Sequence, residues 1–160
     1  MKRGGVGYVV AIGVDKYADS NYDLKYAVAD VNEFAAVLAK EQLNVRNYSA
    51  LKTTLLLDND ATKANILGVL ERLAGGSAEK LTPAQRRLFA DLAPARPEDG
   101  VFLYYSGHGH AYGHRFYLLP HDVAMLGRVA DLAKPESHTV SDLELGDAFE
   151  SIDLLSFELK

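Results

Sequence analysis

Val101-Phe-Leu-Tyr-Tyr-Ser-Gly-His-Gly-His110 is an apolar run that stops abruptly in small residues and histidine. Pro97-Glu-Asp-Gly100 precedes it as a breaker, and the β-branched and aromatic residues that follow read as a buried strand. Open α/β sheets bind ligands beyond the carboxyl ends of their strands, so Ser106, Gly107, His108 and Gly109 stand where a site is expected. Glycine on both sides of the histidine lets the backbone turn sharply and approach a substrate closely. An imidazole there can carry protons near neutral pH.

Toward the N-terminus, Gly7-Tyr-Val-Val-Ala-Ile-Gly-Val14 is too short for a buried helix and reads as a central parallel strand. Asp15 to Asp23 is a polar loop at its carboxyl end, with Tyr17, Asn21 and Tyr22 placed to line a cleft. From Leu24 the spacing turns helical, and Ala27, Val31, Phe34, Ala35 and Leu38 share one face. A second strand ends in Thr53-Thr-Leu-Leu-Leu57, and the turn from Asp58 to Thr62 caps a helix with Ala64, Ile66, Leu67, Leu70 and Leu73 as its buried stripe. Thr82-Pro83 opens either a short helical insertion or a mobile loop.

Beyond His110, Phe116-Tyr-Leu-Leu-Pro120 reads as a short antiparallel strand or hairpin arm. Ala124 to Thr139 lacks a period and reads as a long surface loop. Ser141 and Glu144 have capping-box spacing for a last helix, packed through Leu143, Leu145, Ala148, Phe149 and Ile152. Three strand-helix alternations predict an α/β fold, a mostly parallel sheet with helices on both faces.

A length of 160 residues fits one domain, spanning 1–160. The net charge of -5, with no basic block, argues against a nucleic-acid partner. No apolar run approaches the roughly 18 residues that span a bilayer, so no membrane association and a cytoplasmic location are the default expectations. The chain contains 0 cysteines, which excludes disulfides, thiolate metal sites and a cysteine nucleophile within it. Metal ligation by His108, His110, His114 and His121 competes weakly with acid-base chemistry, because no carboxylate completes a recognised spacing. No metal site or cofactor is expected.

Four segments, Tyr8–Val14, Leu24–Val31, Val101–Gly109 with its Tyr-Ser-Gly-His-Gly element, and Tyr117-Leu-Leu-Pro-His-Asp122, together resemble the caspase-like cysteine peptidases. The likeness is greatest to metacaspases and bacterial relatives, in the clan that also holds separase and legumain. It implies a caspase-like three-layer α/β/α sandwich, of which this chain is the N-terminal, histidine-bearing portion without the cysteine-bearing strand. It also implies that His108 is the catalytic base and later acid, and that Gly109 is an oxyanion donor through its N–H. Asp30 matches the aspartate lining the pocket for the residue before the scissile bond, and Ser106 borders the same pocket. An acidic pocket selects Arg or Lys, whereas true caspases carry an arginine in this region and select aspartate. On chemistry alone, Asp30 reads equally well as a solvated helix residue.

The chain departs from the family pattern twice. The family's cysteine follows on the next strand and is not in this chain, so a cysteine-bearing C-terminal segment or separate chain is the expected partner, beside a protein substrate and a regulatory domain. The calcium-binding acidic cluster of many metacaspases is reduced here to Asp142, so calcium is not supported as a cofactor. The alternative to an endopeptidase cleaving after Arg or Lys is a catalytically dead caspase-like interaction or scaffold module.

Overall fold

The computed structural model describes residues 4–45, 47–124 and 127–158, so Lys2, Arg3 and Lys160 lie outside the described residues. Its main sheet is parallel, with strands β1 (Val6–Gly13), β2 (Ala50–Leu57) and β3 (Gly100–Ser106) in the order β2-β1-β3. Gly13 stands opposite both Leu57 and Ser106, so all three strands end together and one edge of the sheet gathers three loops.

Strand pleating divides the side chains between two faces. Val9 and Ala11 of β1 pack with Leu51, Leu57 and Tyr104 under helix α1 (Ala27–Val45), through Val31, Phe34 and Leu38. Phe34 and Tyr104 stack with ring centroids 4.1 Å apart. Tyr8, Val10, Ile12 and Leu56 face the opposite way. There they meet α2 (Lys63–Leu73), α3 (Pro83–Leu88) and α4 (Asp142–Glu158), the last through Ile152. The result is a three-layer α/β/α sandwich whose core is thicker on the α2 side. Full burial of aliphatic side chains such as Ile12, Leu56, Ile66 and Leu70 is worth roughly 1.5–3 kcal/mol apiece.

A second, antiparallel sheet holds β4 (Gly109–Tyr112), β5 (Arg115–Leu118) and β6 (Val140–Ser141) in that order. The hairpin arm expected at Phe116 is therefore β5, whereas the partner strands β4 and β6 are too short to show a period in sequence. Caps form where the residue types predict them. Thr82 and Gln85 make a reciprocal capping box on α3, as do Ser141 and Glu144 at the start of α4, where Ser141 N–H donates to Glu144 at 2.9 Å. Lys63 of α2 pairs with Glu144 at 2.7 Å, fastening the two helices.

Four expectations need correction. Val69 rather than Ala64 completes the buried stripe of α2, because the stripe turns with the helix and leaves Ala64 in solvent. Leu143 is exposed, since the first turn of α4 turns Glu144, paired with Lys63, toward the fold and leaves Leu143 beside exposed Asp142. The stretch from Ala124 to Thr139 includes two 3-10 turns, Val129–Ala133 and Pro135–Ser137. Buried Asp131 pins it by an ion pair with Lys134 at 2.7 Å, and the Ser137 and Thr139 hydroxyls donate to Leu132 O at 2.8 and 2.6 Å. Finally, β3 is half-buried along most of its length, with Phe102 exposed. Among the described residues β1 is its sole strand neighbour.

Candidate active site

Carboxylates build the loop that follows β1. Asp15 caps α1, its two oxygens accepting from Ala27 N–H at 2.8 Å and Val28 N–H at 3.2 Å, donors that a helix start otherwise leaves unpaired. Its carbonyl accepts from Leu24 N–H at 2.7 Å and closes the loop. Asp23 accepts from Tyr17 N–H at 3.0 Å and pairs with Lys16 at 2.8 Å. The Lys16 ammonium first, then the Tyr17 N–H, holds the Asp23 carboxyl below its usual range. Asp58, in the left-handed region at φ 47°, accepts from Asp15 and Lys16 N–H through one oxygen at 2.9 and 2.8 Å. These bonds set where Tyr17 and Tyr22 stand.

His108 meets that loop from the end of β3. Its Nε2 lies 2.9 Å from Tyr22 O. A carbonyl can only accept, so Nε2 carries the proton and Nδ1 keeps a lone pair. Among the described residues Nδ1 has no hydrogen-bond partner. The ring is half-buried, 5.2 Å from the Tyr17 ring and edge-on to Tyr22 at 6.3 Å.

The neighbouring peptide is oriented by simple geometry. His108 O accepts from Leu119 N–H at 2.9 Å, on the β5 side. Across a planar trans peptide, carbonyl and N–H point in opposite directions. The Gly109 N–H therefore points away from β5, and Gly109 is solvent-exposed. A Cβ on Gly109 would come 2.5 Å from Cζ at the far end of the exposed Phe116 ring, which would have to shift to admit it.

The two residues expected to border a substrate pocket come together across the sheet edge. Ser106 Oγ donates to Asp30 Oδ2 at 3.4 Å, joining the end of β3 to the first turn of α1. Asp30 is exposed, and among the described residues no cation pairs with it. Its neighbours Asp15 and Asp23 are committed to the loop, whereas Asp30 is open to a ligand.

The four histidines do not gather. His121 Nδ1 lies 2.5 Å from Lys16 O, His110 sits on β4 opposite Tyr117, and His114 is exposed in the hairpin turn. Among the described residues no group of three or more His, Cys, Asp or Glu side chains is placed to hold a metal ion. Asp142 is engaged by Arg115 at 3.7 Å. Sequence reasoning placed Tyr17 and Tyr22 at the cleft but missed what they do, because a backbone carbonyl leaves no mark on residue type. It also missed Tyr105, whose hydroxyl reaches the His108 carbonyl at 2.9 Å.

The sequence profile of the caspase domain, peptidase family C14, matches residues 6–142. The chain belongs to the caspase domain family. Its matched region runs from the first residue of β1 to the first residue of α4 and includes both the Asp15–Asp23 loop and the His108 turn. No curated protein and no solved structure matches the chain. Caspase domains are as a rule cysteine peptidases, and the resemblance carried by the Ser-Gly-His-Gly element agrees with that membership. No helix among the described residues is long and apolar enough to cross a membrane.

Proposed function

We propose that this caspase domain supplies the histidine and part of the specificity pocket of a metacaspase-like cysteine endopeptidase that cleaves after Arg or Lys in the cytoplasm. The observation that carries the proposal is the Tyr22 carbonyl on His108 Nε2, which leaves Nδ1 as a base beside an outward Gly109 N–H. With 0 cysteines in the chain, the thiol comes from a further segment or a partner chain. His108 Nδ1 takes the thiol proton and the thiolate attacks the peptide carbonyl. The Gly109 N–H donates to the resulting oxyanion, and Nδ1–H passes its proton to the leaving amine. Water then attacks the thioester, with His108 again as base. Asp30 and Ser106 receive the cationic side chain before the scissile bond.

The test is hydrolysis of fluorogenic Arg, Lys and Asp peptides by the full-length gene product, with Asp30→Asn as the specificity variant. Loss of about 10–100-fold in kcat/KM on Arg and Lys peptides is expected, from a charge-assisted contact of roughly 1.5–3 kcal/mol. Equal cleavage by the variant would remove the pocket assignment. The missing thiol favours one second reading, a caspase-like interaction module without catalysis. A full-length gene product with no cysteine able to reach His108 would leave that reading alone.

A further inference from the structure

Two phenols that the proposed chemistry does not use hold both backbone polar groups of His108. The His108 N–H donates to Tyr17 Oη at 2.8 Å. On the other side, Tyr105 Oη lies 2.9 Å from His108 O and 2.7 Å from Leu119 O, sharing its proton between the two carbonyls. The two hydroxyls also interact with each other. Tyr17 Oη accepts from the amide, and Tyr105 Oη gives its proton to the carbonyls. The His108 peptide is thus held at its amide by Tyr17 and at its carbonyl by Tyr105.

Tyr17 is buried, and desolvation pushes both phenols above their usual range, so they stay protonated through the neutral range. Gly107 is shaped to this arrangement. A Cβ on Gly107 would lie 2.6 Å from Tyr105 Oη and 3.1 Å from Tyr17 Oη. Tyr17 sits on the same loop as Tyr22, and Asp23 holds its N–H. One loop therefore anchors the backbone of His108 through Tyr17 and its ring through the Tyr22 carbonyl.

We infer that Tyr17 and Tyr105 are positioning residues, a phenol clamp that fixes the His108 peptide so that the imidazole keeps its Nε2–H tautomer and presents Nδ1 to the reaction. The catalytic part of this inference rests on the peptidase reading; the structural part does not. Amide exchange and imidazole nitrogen spectra of the 160-residue chain, wild type against Tyr17→Phe, test the structural part without any cysteine. His108 amide exchange should accelerate about tenfold or more on losing its acceptor, while the amides of β1 keep their protection. The single Nε2–H tautomer should give way to a mixture. In the full-length gene product the same variant should lose about tenfold in kcat with KM held within about twofold, because a displaced base slows chemistry and not binding. Tyr105→Phe, which frees the His108 carbonyl and not its amide, supplies the tautomer and kcat readouts should Tyr17→Phe fail to fold.

Unchanged exchange and tautomer would overturn the clamp. Faster exchange with unchanged kcat would overturn its role in positioning the base. A wild-type protein without turnover would sink the peptidase reading, and the spectra of the 160-residue chain would still decide the clamp.

Discussion

β1 and β3 lie side by side with their residues in register, yet every residue of β1 after Val6 is buried and none of β3 is fully buried. β1 has a strand on each side and a helix layer on each face, so its side chains do nothing but hold the sheet together. β3 has β1 on one side, and its carboxyl end carries Ser106 and, two residues beyond, His108. Stability and the proposed chemistry are thus divided between neighbouring strands. A residue of β1 should be costly to fold without and irrelevant to turnover, and a residue at the end of β3 the reverse.

The largest expected effect breaks that comparison if it goes wrong. His108→Ala in the full-length gene product should lower peptide hydrolysis by about 10³-fold or more, the scale of a lost general acid-base group. Its urea midpoint should stay within the scatter of wild type, because the half-buried ring holds little of the core. A variant that unfolds would place His108 with the structural residues instead.

Ile12→Ala should cost about 2–5 kcal/mol in urea unfolding, the range for deleting a fully buried aliphatic side chain. Leu103→Ala, on the same face of β3 but half-buried, should cost about half as much or less, since less apolar surface returns to water. Equal losses would show that β3 is packed as tightly as β1.

Much of this division was legible beforehand. Val9 to Val14 could not be anything but a core strand, and Ser141 with Glu144 marked the start of α4 to the residue. The resemblance assigned Ser106 and Asp30 to one pocket border, and their 3.4 Å hydrogen bond was not legible in the sequence. The half-burial of β3 was not legible, because an apolar run shows that a strand wants cover, not whether the neighbour that covers it is present. Val69 was passed over in favour of Ala64 because a stripe read at fixed spacing drifts around a short helix. The roles of Tyr17, Tyr22 and Tyr105 were hidden for a different reason. Each works through a backbone carbonyl or a hydroxyl on a distant peptide, and such pairings depend on how the loops fold back.

A smaller effect sharpens the contrast at the loop after β1. Asp15→Ala removes two N–H acceptors from the start of α1 and should lower stability by about 0.5–2 kcal/mol, with Asp15→Asn recovering part of it. Circular dichroism in a urea series reads both variants.

The smallest effect appears only in acid. Burial pushes the Asp99 carboxyl up, but the N–H groups of Val6 and Arg96 and the Arg96 guanidinium outweigh it and hold it below its usual range. A carboxyl lowered on folding stabilises the protein fully above its unfolded value, and that contribution is lost as pH falls through the folded value. The urea midpoint of the wild type should therefore drop below about pH 4, and Asp99→Asn should flatten that limb. A limb unchanged in the variant would assign the acid loss to other carboxylates, such as Glu144.

Asp99 also bears on how the chain reaches this state. Its bond to Val6 spans 93 positions, whereas the Ser49 bond to Gly5 at the foot of the β1–β2 pair spans 44. Closing the longer loop costs more chain entropy, and distant pairings form late in folding. On this ground the β1–α1–β2 unit is expected to form before β3 docks onto it. Tyr17, Tyr22 and Asp30 belong to the first unit, whereas Ser106 ends β3 and His108 and Gly109 follow it. The proposed acid-base centre would then be completed only with the last docking step, and a half-folded chain would lack it.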